Sequence, residues 1–100
     1  MSDRGDPSVS AVGSVTVRYW AAARAAAGVE ADAVPVAEGA SLADVLDAVR
    51  RLHPDSLRLH DVLGICSALV GDRPVGRRSP VDVPVVPGDT VELLPPFAGG

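Results

Sequence analysis

Leu42, Val45, Leu46, Val49 and Leu52 recur at three- and four-residue spacing, which makes one apolar stripe along a single amphipathic helix. Ser41 followed by Asp44 supplies a short-chain capping box at its start. His53-Pro54 ends it, because the residue before a proline is pushed out of helical geometry. Asp47, Arg50 and Arg51 fall on the polar side. The stretch Ser56–Leu63 offers only a helical turn or a loop, too short for a second helix of this length. The fold must therefore be one in which a single long helix closes the core.

The flanking segments read as short strands. Ser14–Trp20 alternates Val15, Val17 and Tyr19 with Thr16 and Arg18, and Trp20 breaks the pattern as a core or lid aromatic at the strand end. Ala21–Ala27 is a short Ala-rich helix that stops at Gly28. Ala31–Ala37 reads as an edge strand, since Pro35 has no N–H to give to a ladder. Ile65–Val70 is a strand, Gly71-Asp72 a turn and Arg73–Gly76 a short return strand. Arg77–Val86 is an extended link, Pro87-Gly88 a turn that needs a positive φ at glycine, and Thr90–Leu94 the last strand. Two groups of strands around one main helix predict an α+β fold. It is a mixed sheet of about four to five strands curled over the helix, the β-grasp. A ferredoxin-like arrangement would need a second long helix. The expected organisation is a flexible leader over 1–13, the β-grasp domain over 14–94, and an extended tail over 95–100.

Composition removes several function classes. With 17 Val and 15 Ala but one each of Phe, Tyr and Trp, the core is built from small pieces and favours strands. A net charge of −4 argues against nucleic acid as a partner, which would need a basic stripe. All nine basic residues are Arg, so neither Schiff-base chemistry nor a P-loop lysine is available. One Cys, at position 66, and two His, at 53 and 60, make neither an internal disulfide nor a zinc cluster. No apolar run reaches the length of a signal peptide or a membrane span. The expectation is a cytoplasmic chain with no bound cofactor, metal, nucleic acid or membrane. Arg4-Gly5-Asp6 in the leader, a tripeptide that some adhesion ligands display, is an accident of composition on that reading.

The chemistry then falls to the tail, Pro95-Pro96-Phe97-Ala98-Gly99-Gly100. The two prolines stiffen its start, and six extended residues reach about 20 Å. Ala98, Gly99 and Gly100 carry almost no side chain, so the tail can thread a narrow channel. A carboxylate at Gly100 can attack the α-phosphate of ATP to give an acyl-adenylate.

The run Val15-Thr16-Val17-Arg18-Tyr19-Trp20-Ala21-Ala22-Ala23-Arg24 with Gly28 resembles the opening of the small subunits of molybdopterin synthase. Gly88-Asp89-Thr90-Val91 and Leu94-Pro95-Pro96-Phe97-Ala98-Gly99-Gly100 resemble their end. These belong to the ubiquitin-like sulfur-carrier family, which also includes the thiazole-synthesis carrier. The resemblance spans about residues 14–100, its middle matching only in pattern. It implies a non-catalytic carrier subunit whose Gly100 is adenylated by an ubiquitin-activating-type enzyme that uses ATP, and is then converted to a thiocarboxylate. It further implies delivery of sulfur to cyclic pyranopterin monophosphate in a heterotetramer of two small and two large subunits. Gly99, Ala98, Pro96 and Pro95 would thread the partner's channel, and Phe97 and Leu94 would form the partner interface. The leader departs from the compact family pattern.

Plainer readings stand beside these. Phe97 either anchors a partner or folds back on its own sheet. Cys66 is expected as a buried inert thiol within a strand, and His53 and His60 as surface residues. On the last strand Val91 and Leu93 should point inward, and Thr90, Glu92 and Leu94 outward. A carrier for thiazole, cysteine or another thio-metabolite would use the same tail. So would a modifier that ends as an amide on a target lysine, while a plain ubiquitin-like interaction module would not need it.

Overall fold

A computed structural model of the chain describes residues 11–96. The strands are β1 (Gly13–Tyr19), β2 (Ala31–Val36), β3 (Ser67–Val70), β4 (Arg73–Pro74) and β5 (Thr90–Leu94). The helices are α1 (Ala21–Ala27), α2 (Leu42–Leu52) and α3 (Leu57–Leu63). The five strands form one sheet in the order β2-β1-β5-β3-β4. β5 runs parallel to β1, and the other pairings are antiparallel. This is the expected mixed sheet over a main helix.

The alternation in β1 explains its register. Val15, Val17 and Tyr19 are buried, as are Val34 and Val36 on β2 and Val91 and Leu93 on β5. These side chains meet Leu42, Val45 and Val49 of α2, so the main stripe fills the concave face. Leu46 is only partly buried and Leu52 is exposed, so the far end of the stripe runs out into solvent. The expected capping box is present: the Asp44 amide donates to Ser41 Oγ at 3.3 Å, and the Ser41 amide donates to Asp44 Oδ2 at 2.9 Å. Gly28 ends α1 with φ +77°, a conformation in which a Cβ would be strained.

Pro35 sits on the edge strand, as its lack of an N–H requires. The Tyr19 amide donates to the Glu30 carbonyl, so the residues of β2 that bond to β1 are those of even number. Pro35 therefore faces the open edge and costs the ladder nothing.

Four details depart from the sequence reading. β1 begins at Gly13, one residue inside the expected leader, and the Val12 amide already donates to the Val36 carbonyl. A Cβ built on Gly13 would lie 2.6 Å from Pro87 Cβ, so glycine is what lets the two segments meet. Ser56–Leu63 contains a true helix, α3, capped by Ser56 and burying Leu59 and Leu63. Its Ser56 hydroxyl also donates to the Ala26 carbonyl at 3.0 Å, which ties it to the end of α1. β3 starts at Ser67 rather than Ile65, leaving Ile65 62% exposed and Cys66 just before the strand. The link 77–86 is more than a connector. It makes a 3-10 turn at Pro80–Asp82 and buries Val83 and Val85. The Leu42 amide donates to Val83 O and the Val85 amide to Ala40 O, so the link is stitched to the start of α2.

Candidate functional site

β5 lies in the middle of the sheet and carries the tail. Val91 and Leu93 are fully or almost fully buried, while Thr90, Glu92 and Leu94 face the side of the sheet not covered by helices. Leu94 is opposite Ser67 on β3, and the Trp20 amide donates to the Leu93 carbonyl at 3.2 Å. The next residues, Pro95 and Pro96, have no N–H, so pairing cannot continue past Leu94. The chain is gripped from both sides up to Leu93, held by β3 alone at Leu94, and released there. Pro95 is half-buried and Pro96 exposed. Phe97, Ala98, Gly99 and Gly100 lie outside the described residues, as does the leader up to Ser10.

Around the exit, the uncovered face brings together residues from three strands. Arg18 is paired with Glu92 in register, and Glu92 with Leu69 across the other ladder. Trp20 follows Arg18 by two residues and lies on the same face. It is 38% exposed, which rules out the first of the two placements expected of it, core or lid at the strand end. Parity explains this: Ser14, Thr16, Arg18 and Trp20 are one alternating set, and the set faces outward. Trp20 continues the pattern that it was read as breaking. Its indole N–H donates to Glu92 Oε1 at 3.0 Å, and the Arg18 guanidinium lies 5.4 Å from the ring centroid, within cation–π reach. Its carbonyl accepts from the amides of Ala23 and Arg24, so it also caps α1. Leu94, expected at the interface, is present on this face with Leu69 and Trp20 as neighbours that sequence reasoning did not select.

A second polar group lies on the other side of the sheet. Asp32 Oδ2 accepts from the Tyr19 hydroxyl at 2.8 Å and from His53 Nε2 at 2.7 Å. The Tyr19 and His53 rings meet edge to face at 6.0 Å. His53 was expected on the surface, but its side chain is only 16% exposed. It is drawn in because α2 ends beside β2, where Asp32 offers a carboxylate. His60 Nε2 in turn donates to the His53 carbonyl at 3.0 Å. Burial, and then the bond to Asp32, raises the Tyr19 phenol well above the usual tyrosine range. This cluster joins β1, β2 and the end of α2 on the helix-covered face, opposite the face that carries Trp20 and Glu92, and its Tyr19 stands in register with Leu93 of β5.

Cys66 is half-buried, and burial pushes its thiol up to about 11. A thiol held protonated is a poor nucleophile, in keeping with the inert role expected of it. Among the described residues no group of three or more His, Cys, Asp or Glu could hold a metal ion. No helix among them is long and apolar enough to cross a membrane.

The model of the ThiS family matches residues 17–100 of the chain. Among solved structures, small archaeal modifier protein 1 from Haloferax volcanii is 26% identical with a TM-score of 0.73, the match covering 88% of this chain and 100% of that one. A protein of Pyrococcus furiosus provisionally named molybdopterin converting factor subunit 1 is 24% identical with a TM-score of 0.69, over 85% and 99% of the two chains. The complex of subunits 1 and 2 of the molybdopterin-converting factor from Helicobacter pylori gives 24% identity and a TM-score of 0.55, over 87% and 99%. The last two are likenesses of fold. No curated protein matches the chain.

Proposed function

Because the chain belongs to the ThiS family of ubiquitin-like sulfur carriers, we propose that its working group is a carboxyl on Gly100. An ubiquitin-activating-type enzyme joins it to the α-phosphate of ATP with release of pyrophosphate. A sulfur nucleophile then displaces AMP and leaves a thiocarboxylate. The carrier hands this sulfur to cyclic pyranopterin monophosphate in the large subunit of a molybdopterin synthase, and catalysis resides in the partners.

The observation that carries this reading is the way the tail leaves the fold. A strand paired on both sides ends at Leu94, and two prolines then forbid further pairing. That geometry gives the tail a fixed base at the end of β5, as delivery into a partner's channel requires. Trp20, Leu69 and Leu94 surround the base and give the partner an apolar surface to seat on. Support for the large subunit as acceptor comes from the fold shared with the Helicobacter pylori complex.

The test is the intact mass of the full chain after incubation with its adenylating enzyme, ATP and a sulfur donor. Replacement of one terminal oxygen by sulfur is the expected result, and an unaltered mass overturns it. Transfer to the pyranopterin in the presence of the large subunit then separates this branch from a thiazole or cysteine carrier. The likeness to small archaeal modifier protein 1 favours one other reading, a modifier joined through the same carboxyl to a target lysine. In that case the tail would be recovered as an amide on other proteins.

A further inference from the structure

Trp20 is an exposed aromatic, yet everything around it restricts its motion. On its edge the indole N–H donates to Glu92 Oε1 at 3.0 Å, and over its face the Arg18 guanidinium sits 5.4 Å from the centroid. Its backbone is held as firmly. The amide donates to Leu93 of the tail-bearing strand, and the carbonyl accepts from the first turn of α1. The next residue, Ala21, has φ +51°, a left-handed conformation that is costly for a residue with a Cβ. Such strain persists only where the surroundings over-determine the backbone, and here it fixes the corner from which the indole projects. A surface tryptophan that served no purpose would need neither a charged clamp nor a strained hinge.

We infer that Glu92 and Arg18 are positioning residues that hold Trp20 in the orientation in which the adenylating partner meets it. The inference rests on the carrier reading above. Its physical basis is pre-organisation: a side chain ordered before docking does not lose its rotamer freedom on docking. Glu92 is well placed for this task because it stands on β5 itself, two residues before the strand ends. The clamp thereby sets the indole relative to the point where the tail departs. Val91 and Leu93 on either side of Glu92 are buried, so the carboxylate has a rigid base.

Trp20 is the single tryptophan of the chain, so its fluorescence reports on the clamp directly. The experiment compares the full chain with Glu92→Ala, Glu92→Gln and Trp20→Ala. It reads acrylamide quenching and anisotropy decay of the indole, the thermal midpoint, and the Kd for the cognate adenylating enzyme with ATP. Glu92→Ala is expected to free the indole, leave the midpoint at its wild-type value and weaken binding by about threefold to tenfold. Glu92→Gln keeps an acceptor oxygen and should restore both the rigidity and most of the affinity. The inference fails if Glu92→Ala frees the indole without changing Kd, or if the glutamine variant behaves like the alanine one. It also fails if affinity drops while the indole stays rigid, since Glu92 would then be touching the partner itself. Wild-type affinity in Trp20→Ala would locate the fault in the docking surface instead, and with it the carrier reading's account of where the partner sits.

Discussion

Asp32→Ala is the perturbation that most directly tests how the edge strand is held. One carboxylate oxygen accepts both the Tyr19 hydroxyl and His53 Nε2, at 2.8 and 2.7 Å, so one substitution strands two donors. Hydrogen bonds to a charged acceptor contribute about 1.5–3 kcal/mol each when well buried. Asp32 is 23% and His53 16% exposed, so water can partly replace the lost partner, and the total falls to about 2 kcal/mol. For a domain of this size that corresponds to a fall of roughly 8–16 °C in Tm. Tyr19→Phe removes one donor but keeps the buried ring and its contact with His53, so its cost should be about 1 kcal/mol. Urea unfolding followed by far-UV circular dichroism gives each value, and the double variant gives the coupling. A loss below about 0.5 kcal/mol in Asp32→Ala, the range of an ordinary surface substitution, would refute the claim that this cluster fastens β2 to α2.

The remaining expectations use other parts of the molecule. Because the phenol of Tyr19 and the thiol of Cys66 are both raised, the folded chain keeps protons that the unfolded chain has released. Their contributions are complete below about pH 9 for the thiol and about pH 10 for the phenol. They are lost as pH rises, at up to about 1.4 kcal/mol per pH unit for each group. Tyr19→Phe should flatten the part of the alkaline Tm decline that begins near pH 10. Alkylation of Cys66 at pH 8 should run ten- to a hundredfold slower, roughly, in the folded chain than in urea, and equal rates would contradict its burial. Ala21→Gly relieves a left-handed alanine and should stabilise by up to about 1 kcal/mol, whereas a loss of stability would mean that the strain is not there. Ser41→Ala removes the N-cap of the main helix and should cost about 1 kcal/mol in the same urea assay.

Much of this architecture was legible because period and punctuation agree. The α2 stripe, the capping box at Ser41, the positive φ at Gly88 and the inward Val91 and Leu93 follow from spacing alone. The errors arose where a residue's type was allowed to outweigh its position. For Trp20, size suggests a core or lid aromatic, whereas its parity with Arg18 excludes the core and places it on the outward face. His53 was assigned to the surface for its polarity, since its partner Asp32 lies 21 residues away and nothing local reveals that they meet. The link 77–86 hides two core valines behind prolines that read as loop, because its pairing with the start of α2 is long-range. At the candidate site, the tail's departure after Leu94 was readable from Pro95-Pro96. The clamp around Trp20 was not, since it depends on the register of β1 against β5.

Placing the outgoing strand in the middle of the sheet also decides how the molecule bears load. A partner that draws on the chain beyond Leu94 pulls β5 along its own axis. The bonds to β1 on one side and β3 on the other then resist together, in shear, instead of opening one after another as they would at an edge. The body can thus be towed by its terminus without unravelling from it.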